Sequence, residues 1–343
     1  MPGPSDAEMA FRRTIVNGYW SRPHDPMERA MTLNLDGLIP ATVLPMGADG
    51  GIDEGALRSY IGWVVGQGPV ALAINVDTGE GPHLTHDEKV RILKIVRDVT
   101  DIPIVAGLAG PSTDAAVRQA RDFRSAGADA LLVFPIPAYL SQPLDPRVPV
   151  AYHEAIADVG LPLILFQLQP ALAGVNFETD TLQAMASVDG VVAIKEASFD
   201  ARRFVDTARL LEQLPRKITL LTGNDNFILE SFLLGATGAL IGFGAVMTRE
   251  QVDMIAAWQA GETDTAMALG RRVQRLADVV FAPPVGDYRV RLKECLRILG
   301  VLDSAQVRRP LLPIGDDERA FLADVLAEVG LREDTPAAPV LSR

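Results

Sequence analysis

The stretch Gly127-Ala128-Asp129-Ala130-Leu131-Leu132-Val133-Phe134 decides the fold. Its apolar run shows no polar alternation, so a strand formed there is buried on both faces. The preceding segment, Thr113–Ala126, has helical periodicity and a charged face. A two-sided buried strand fed by an amphipathic helix is one unit of a parallel sheet covered by helices. The same texture repeats in both directions. Upstream runs are Leu38–Leu44, Val70–Asn75 and Ile104–Ala106; downstream runs are Leu163–Leu168, Val191–Lys195, Ile218–Thr222 and Ala239–Gly242. Helical periodicity fills the intervals, near Glu54–Gly66, His86–Val99, Val148–Val159, Glu178–Ser187, Ala201–Glu212, Phe227–Leu234 and Glu250–Ala260. Eight such units predict a (β/α)8 TIM barrel. The competing arrangement is a doubly wound open sheet, which typically has fewer strands.

The barrel is expected over residues 36–262, after a partly helical N-terminal extension of residues 1–35. Beyond it lies a C-terminal helical extension, residues 263–330, with helices near Thr263–Val280, Tyr288–Leu299 and Asp316–Val329, and then a tail of residues 331–343. The apolar faces of the added helices need a partner, either the barrel or another subunit.

Composition narrows the function. Of 343 residues 48% are hydrophobic and 22% charged, enough core to keep water out of a pocket. The net charge of −12 argues against nucleic acid, whose phosphates need clustered Lys and Arg. The single cysteine, Cys295, cannot form an intramolecular disulfide, which favours a reducing compartment. No apolar run is long enough to cross a membrane, and the first residues lack the apolar core of a signal peptide. A cytoplasmic location is expected.

A barrel places its chemistry at the C-terminal ends of the strands. Lys195 stands out there, because four apolar residues, Val191 to Ile194, lead directly into its ammonium group. Burial at a low-dielectric barrel mouth lowers an amine's pKa, and a partly neutral lysine attacks ketones to form an imine. The alternative is a strand-end lysine reaching into water beside Glu196.

The motifs fall in register with a known family. They are Gly37-Leu38-Ile39-Pro40-Ala41-Thr42-Val43-Leu44-Pro45, Asp77-Thr78-Gly79-Glu80, Ile194-Lys195-Glu196-Ala197, Gly223-Asn224-Asp225 and Gly235-Ala236-Thr237-Gly238-Ala239. In that order the chain resembles the dihydrodipicolinate synthase / N-acetylneuraminate lyase family of Schiff-base-forming class I aldolases, over about residues 36 to 330. The resemblance implies that Lys195 is the Schiff-base lysine, with pyruvate or another 2-keto acid as substrate and an aldehyde as partner. No metal or other cofactor is implied, and a homodimer or homotetramer is.

Several positions depart from the family pattern. Where the family commonly reads Gly-Thr-Thr-Gly-Glu, this chain reads Val76-Asp77-Thr78-Gly79-Glu80. Thr78 and the Gly79 amide remain donors for a substrate carboxylate. Asp77 would repel that carboxylate unless protonated or turned away. It is a binder of a substrate hydroxyl, an acid–base group or a turn cap, and Glu80 is read as structural. On the fifth strand a tyrosine that relays protons is usual, yet Phe166 stands here and has no proton to give. The arginine that follows in some members is replaced by Ala171-Leu172-Ala173, which disfavours a true dihydrodipicolinate synthase and favours a neutral or apolar aldehyde. Tyr139 is either a substitute relay or a pocket wall. Asn224, Asp225 and Asn226 either bind the hydroxyls of a sugar-acid tail or cap the following helix. Gly223 and Ile241 are expected to line the substrate site.

No metal site is expected, because His83 and His86 lie in a loop without cysteines nearby. Gly107-Leu108-Ala109-Gly110 lacks the spacing of a phosphate cradle. The expected activity is a lyase that forms a Schiff base with a 2-keto acid and cleaves, joins or dehydrates it. The alternative is a non-catalytic keto-acid-binding or regulatory paralogue that keeps the lysine and has lost the relay.

Overall fold

The computed structural model describes residues 33–140 and 143–331. The expected N-terminal helix and nearly all of the tail lie outside these. Eight parallel strands form one sheet: β1 (Leu38–Pro40), β2 (Leu72–Ile74), β3 (Ile104–Leu108), β4 (Ala130–Val133), β5 (Leu163–Leu168), β6 (Val191–Ala197), β7 (Thr219–Thr222) and β8 (Gly238–Ile241). From β2 to β8 each strand pairs with the next in chain order, and β8 pairs with β1, Leu38 opposite Ala239. Between β2 and β1 the ring is closed by a bridge from Ala41 to Ala73 and by amide bonds from Val70 to the Leu38 carbonyl and from Thr42 to the Ala73 carbonyl. The fold is a (β/α)8 TIM barrel.

The barrel helices are α1 (Glu54–Val65), α2 (His86–Val99), α3 (Thr113–Ser125), α4 (Arg147–Ala157), α5 (Thr179–Ala186), α6 (Ala201–Glu212), α7 (Ile228–Leu233) and α8 (Thr248–Gln259). Three more follow: α9 (Thr263–Val280), α10 (Tyr288–Ile298) and α11 (Asp316–Glu328). Local chemistry starts several of them. Thr85 and Glu88 form a reciprocal capping box on α2, and Asp53, Ser112 and Asp200 accept first-turn amides on α1, α3 and α6.

Strand alternation divides the core. One buried cluster, with Ile39, Ala73, Val105, Leu132, Ile164, Ala193, Leu221 and Leu240, fills the barrel interior. The other, with Leu72, Leu131, Leu163, Leu165, Ile194 and Leu220, packs outward against the helices. Among the described residues no helix is long and apolar enough to cross a membrane. Cys295 is buried, and burial pushes its thiol up to about 12, so it is inert.

The added helices do more than cover the barrel. The N-terminus of α10 reaches the C-terminal mouth of the strands and contacts the turn after β2.

Candidate active site

On β6 the residues alternate: Ala193, Lys195 and Ala197 face the interior, while Ile194 and Glu196 face the helices. The β5–β6 register sets Phe166 beside Lys195, and β7 sets Leu221 on its other side. The amine therefore emerges from an apolar layer at the strand ends. Its Nζ lies 4.2 Å from the centroid of the Phe166 ring, a cation–π contact. Among the described residues it makes no hydrogen bond or ion pair. Burial pushes its pKa down to about 8, against an opposing pull from the charges of Asp225 and Asp77. Burial also pushes the Asp225 carboxyl up, to about 7, although its Oδ1 accepts the Phe243 amide at 2.8 Å. Gly223 is required by space: a Cβ there would lie 2.6 Å from Lys195 Cε and 2.7 Å from Ala197 Cβ.

The outward residues of the same strand ends form a separate support. Glu196 accepts from Gln167 at 3.1 Å, from the Ser198 amide at 3.2 Å and from Asn224 at 2.7 Å. Asn224 also accepts the Phe199 amide at 2.7 Å. Both its polar atoms are thus occupied in tying β6 to the loop after β7.

Opposite Lys195, the turn after β2 meets α10. The Tyr288 hydroxyl donates to Asp77 Oδ2 at 2.9 Å and lies 3.3 Å from Thr78 Oγ1. Arg289 holds Asp77 twice, from Nη2 to Oδ2 at 2.5 Å and from Nε to the backbone carbonyl at 3.0 Å. The carboxylate that would have repelled an anionic substrate is thereby neutralised by a guanidinium. Burial pushes the Tyr288 phenol well above its ordinary pKa, with the Asp77 charge adding to the effect. One turn deeper, Glu80 pairs with the fully buried Lys293 at 2.5 Å and accepts the Arg308 amide at 2.8 Å, so it is structural.

These groups line one pocket with about 370 Å³ of empty space, part of it open to solvent. Of the residues singled out from the sequence, Lys195, Asp77, Thr78, Phe166 and Gly223 line it. Asp225, read from the sequence as a binder of substrate hydroxyls or a helix cap, also lines it, as do Gly242, Phe199, Phe281 and Tyr288, which the sequence did not single out. The walls are mostly apolar. Phe281 stacks on Tyr288 at 4.7 Å, and Phe166 meets Phe134 edge-on at 4.9 Å.

Four expected residues are not brought to the pocket. Tyr139 is buried in a cluster with Tyr152 and Phe177, at ring separations of 6.2 and 5.9 Å. Tyr139 sits in a 3-10 turn, Pro137–Leu140, with its ring buried. Asn224 supports Glu196 on the outer side. Gly79 packs under the Thr42 carbonyl, and Ile241 is fully buried in the outer cluster beside Gly242. No group of three or more His, Cys, Asp or Glu able to hold a metal is found among the described residues. His86 instead contacts Asp122 at 2.9 Å.

Comparison with known proteins agrees with this architecture. The model of the dihydrodipicolinate synthetase family matches residues 34–329. A 4-hydroxy-tetrahydrodipicolinate synthase of Methanothrix thermoacetophila is 30% identical over 85% of this chain and 96% of its own length. One from Acidiphilium cryptum is 30% identical over 86% and 98%. Among solved structures, the chloride-inhibited dihydrodipicolinate synthase of Acinetobacter baumannii, complexed with pyruvate, superposes with a TM-score of 0.77 at 28% identity, covering 87% of this chain and 100% of the other. A barrel with a buried lysine of lowered pKa at its mouth, matched by the family model over residues 34–329, is thus a member of the dihydrodipicolinate synthetase family of class I, Schiff-base-forming lyases.

Proposed function

We propose that Lys195 condenses with the ketone of pyruvate or a longer 2-keto acid, and that the iminium drives carbon–carbon cleavage or formation, or loss of water, one bond further along. The observation that carries this reading is the amine itself. It is buried at the strand ends, lowered to about 8, and unbonded among the described residues. Near neutral pH a useful fraction is the free base, and the iminium formed from it withdraws electrons as a metal would. No metal or organic cofactor is needed. Thr78, beside an Asp77 whose charge Arg289 offsets, is the proposed partner of the substrate carboxylate.

The second substrate is proposed to be a neutral or apolar aldehyde rather than aspartate semialdehyde, despite the names of the relatives. Support comes from the walls: Phe199, Phe281, Leu168 and Leu172 offer contact area and no charge for a second carboxylate, and Ala171-Leu172-Ala173 supply no arginine. Turnover with pyruvate and a panel of aldehydes tests this. An aromatic or aliphatic aldehyde should give the higher kcat/KM. Preference for aspartate semialdehyde would refute the substrate class. The assembly proposed is a homodimer or homotetramer, closed symmetric forms being the common outcome. A monomer mass by light scattering at micromolar concentration would refute that.

A further inference from the structure

An iminium needs a group that moves protons at the substrate, and Phe166, in register beside Lys195, has none to move. The pocket nevertheless contains one phenol. We propose that Tyr288, on the C-terminal helix α10, is the catalytic hydroxyl of this enzyme, relaying a proton between the substrate and Asp77; the inference rests on the Schiff-base reading above.

The geometry is that of a chain of hydrogen bonds. The single Tyr288 proton is donated to Asp77 Oδ2 at 2.9 Å, and the phenol oxygen lies 3.3 Å from Thr78 Oγ1. Arg289 fixes the far end by gripping both the carboxylate and the backbone carbonyl of Asp77. The ring is fixed too, stacked on Phe281 over a glycine. A Cβ on Gly242 would lie 3.2 Å from Tyr288 Cε2, 3.1 Å from Phe281 Cζ and 3.2 Å from Thr78 Oγ1. Tyr288, Thr78, Asp77 and Lys195 all face the same space. A phenol that only filled a gap would not need its oxygen set between two pocket-lining polar groups.

In the condensing direction the step balances as follows. The phenol oxygen accepts a proton from C3 of the Lys195–pyruvate iminium, while its own proton passes to Asp77. The C3–H electron pair forms the C2–C3 double bond, and the π pair of the carbon–nitrogen double bond moves onto nitrogen, giving the neutral enamine. The enamine C3 then bonds to the aldehyde carbon, and the aldehyde oxygen takes a proton from Tyr288, which recovers one from Asp77. Cleavage is the reverse. The proton lost at C3 is the one gained at the oxygen, and no oxidant or other reactant is required.

The test needs only pyruvate. Borohydride trapping reports iminium formation, and loss of the pyruvate methyl signal in D2O reports proton transfer at C3. Tyr288→Phe keeps the stacked ring and should trap pyruvate as the unaltered protein does, while methyl exchange falls by roughly 10²-fold or more. Asp77→Asn, which removes the proton's resting place, should lower exchange in the same way. Exchange within about threefold of normal in a Tyr288→Phe protein that still traps pyruvate overturns the proposal. If Tyr288→Phe fails to fold, normal exchange in Asp77→Asn overturns it instead. Trapping without any methyl exchange in the unaltered protein would also overturn it. Absence of trapping in the unaltered protein would overturn the Schiff-base reading, which separates the two failures.

Discussion

Lys195 and Lys293 both sit where water is scarce, 8% and 0% exposed, and burial lowers the pKa of each. Lys293 is held by Glu80 at 2.5 Å and by the Gln306 carbonyl at 2.7 Å, which ties α10 to the turn after β2. Lys195 has an aromatic face at 4.2 Å and two carboxylates that act on it only through space. Burial is common to both, and the difference is contact with an opposite charge. A contact ion pair keeps the ammonium protonated and immobile, whereas burial without one leaves an amine able to lose its proton and attack. The region around Lys293 is tied together by charge, and the region around Lys195 has the free amine that the proposed reaction needs.

Exchanging each lysine for a neutral residue should separate the two regions most widely. Lys195→Ala should abolish turnover and leave the stability to denaturant unchanged or higher, because a buried charge without a contact partner is removed. Lys293→Ala should strand Glu80 in the interior and lower stability by about 3–5 kcal/mol. Equal losses of stability in urea titrations of the two variants would break the comparison.

Gly223→Ala sharpens it by moving Lys195 without removing it. The new methyl would meet Lys195 Cε and Ala197 Cβ at 2.6 and 2.7 Å. Relieving those contacts requires moving the lysine chain by about 1 Å, which should slow borohydride trapping by about 10²-fold. Stopped-flow trapping at the unaltered rate would mean that the amine tolerates displacement.

A smaller effect is expected from pH. Because the folded pKa of Lys195 is lowered, its free-base fraction rises through about 8 rather than near the ordinary lysine value. The initial rate of imine formation with pyruvate should climb about tenfold between pH 7 and 9 and then level off. A rate still rising steeply at pH 10 would show that this lysine is as unperturbed as one on the surface. The smallest effect is none: exhaustive dialysis against EDTA should leave turnover intact. Loss restored by zinc or magnesium would contradict a mechanism that uses the iminium as its only electron sink.

The eight strands were legible because each is apolar on both faces, and the helices because their faces repeat on the helical period. Both signals are local. Lys195 was legible for the same reason, as a charge ending an apolar run. The Asp77–Tyr288–Arg289 cluster was not, because it joins residues some 211 positions apart that become neighbours only when α10 docks on the barrel. One signal was present. Arg289 and Arg291 stand in the first turns of a helix with no acidic residue there, against the helix dipole, which marks cations held by something outside the helix. Arg291 does bind three carbonyls and Glu318. Tyr139 and Asn224 misled for the complementary reason. Their motif positions are near the strand ends, but whether a side chain points into the barrel depends on loop geometry that spacing alone does not encode.

The central claim is that Lys195, and not another buried lysine, is the nucleophile. Incubation with pyruvate and borohydride followed by peptide mass mapping tests it most directly. One adduct per chain is expected, on the peptide containing Lys195, and none in Lys195→Ala. An adduct on Lys293 or any other lysine, or one that persists in Lys195→Ala, would contradict it.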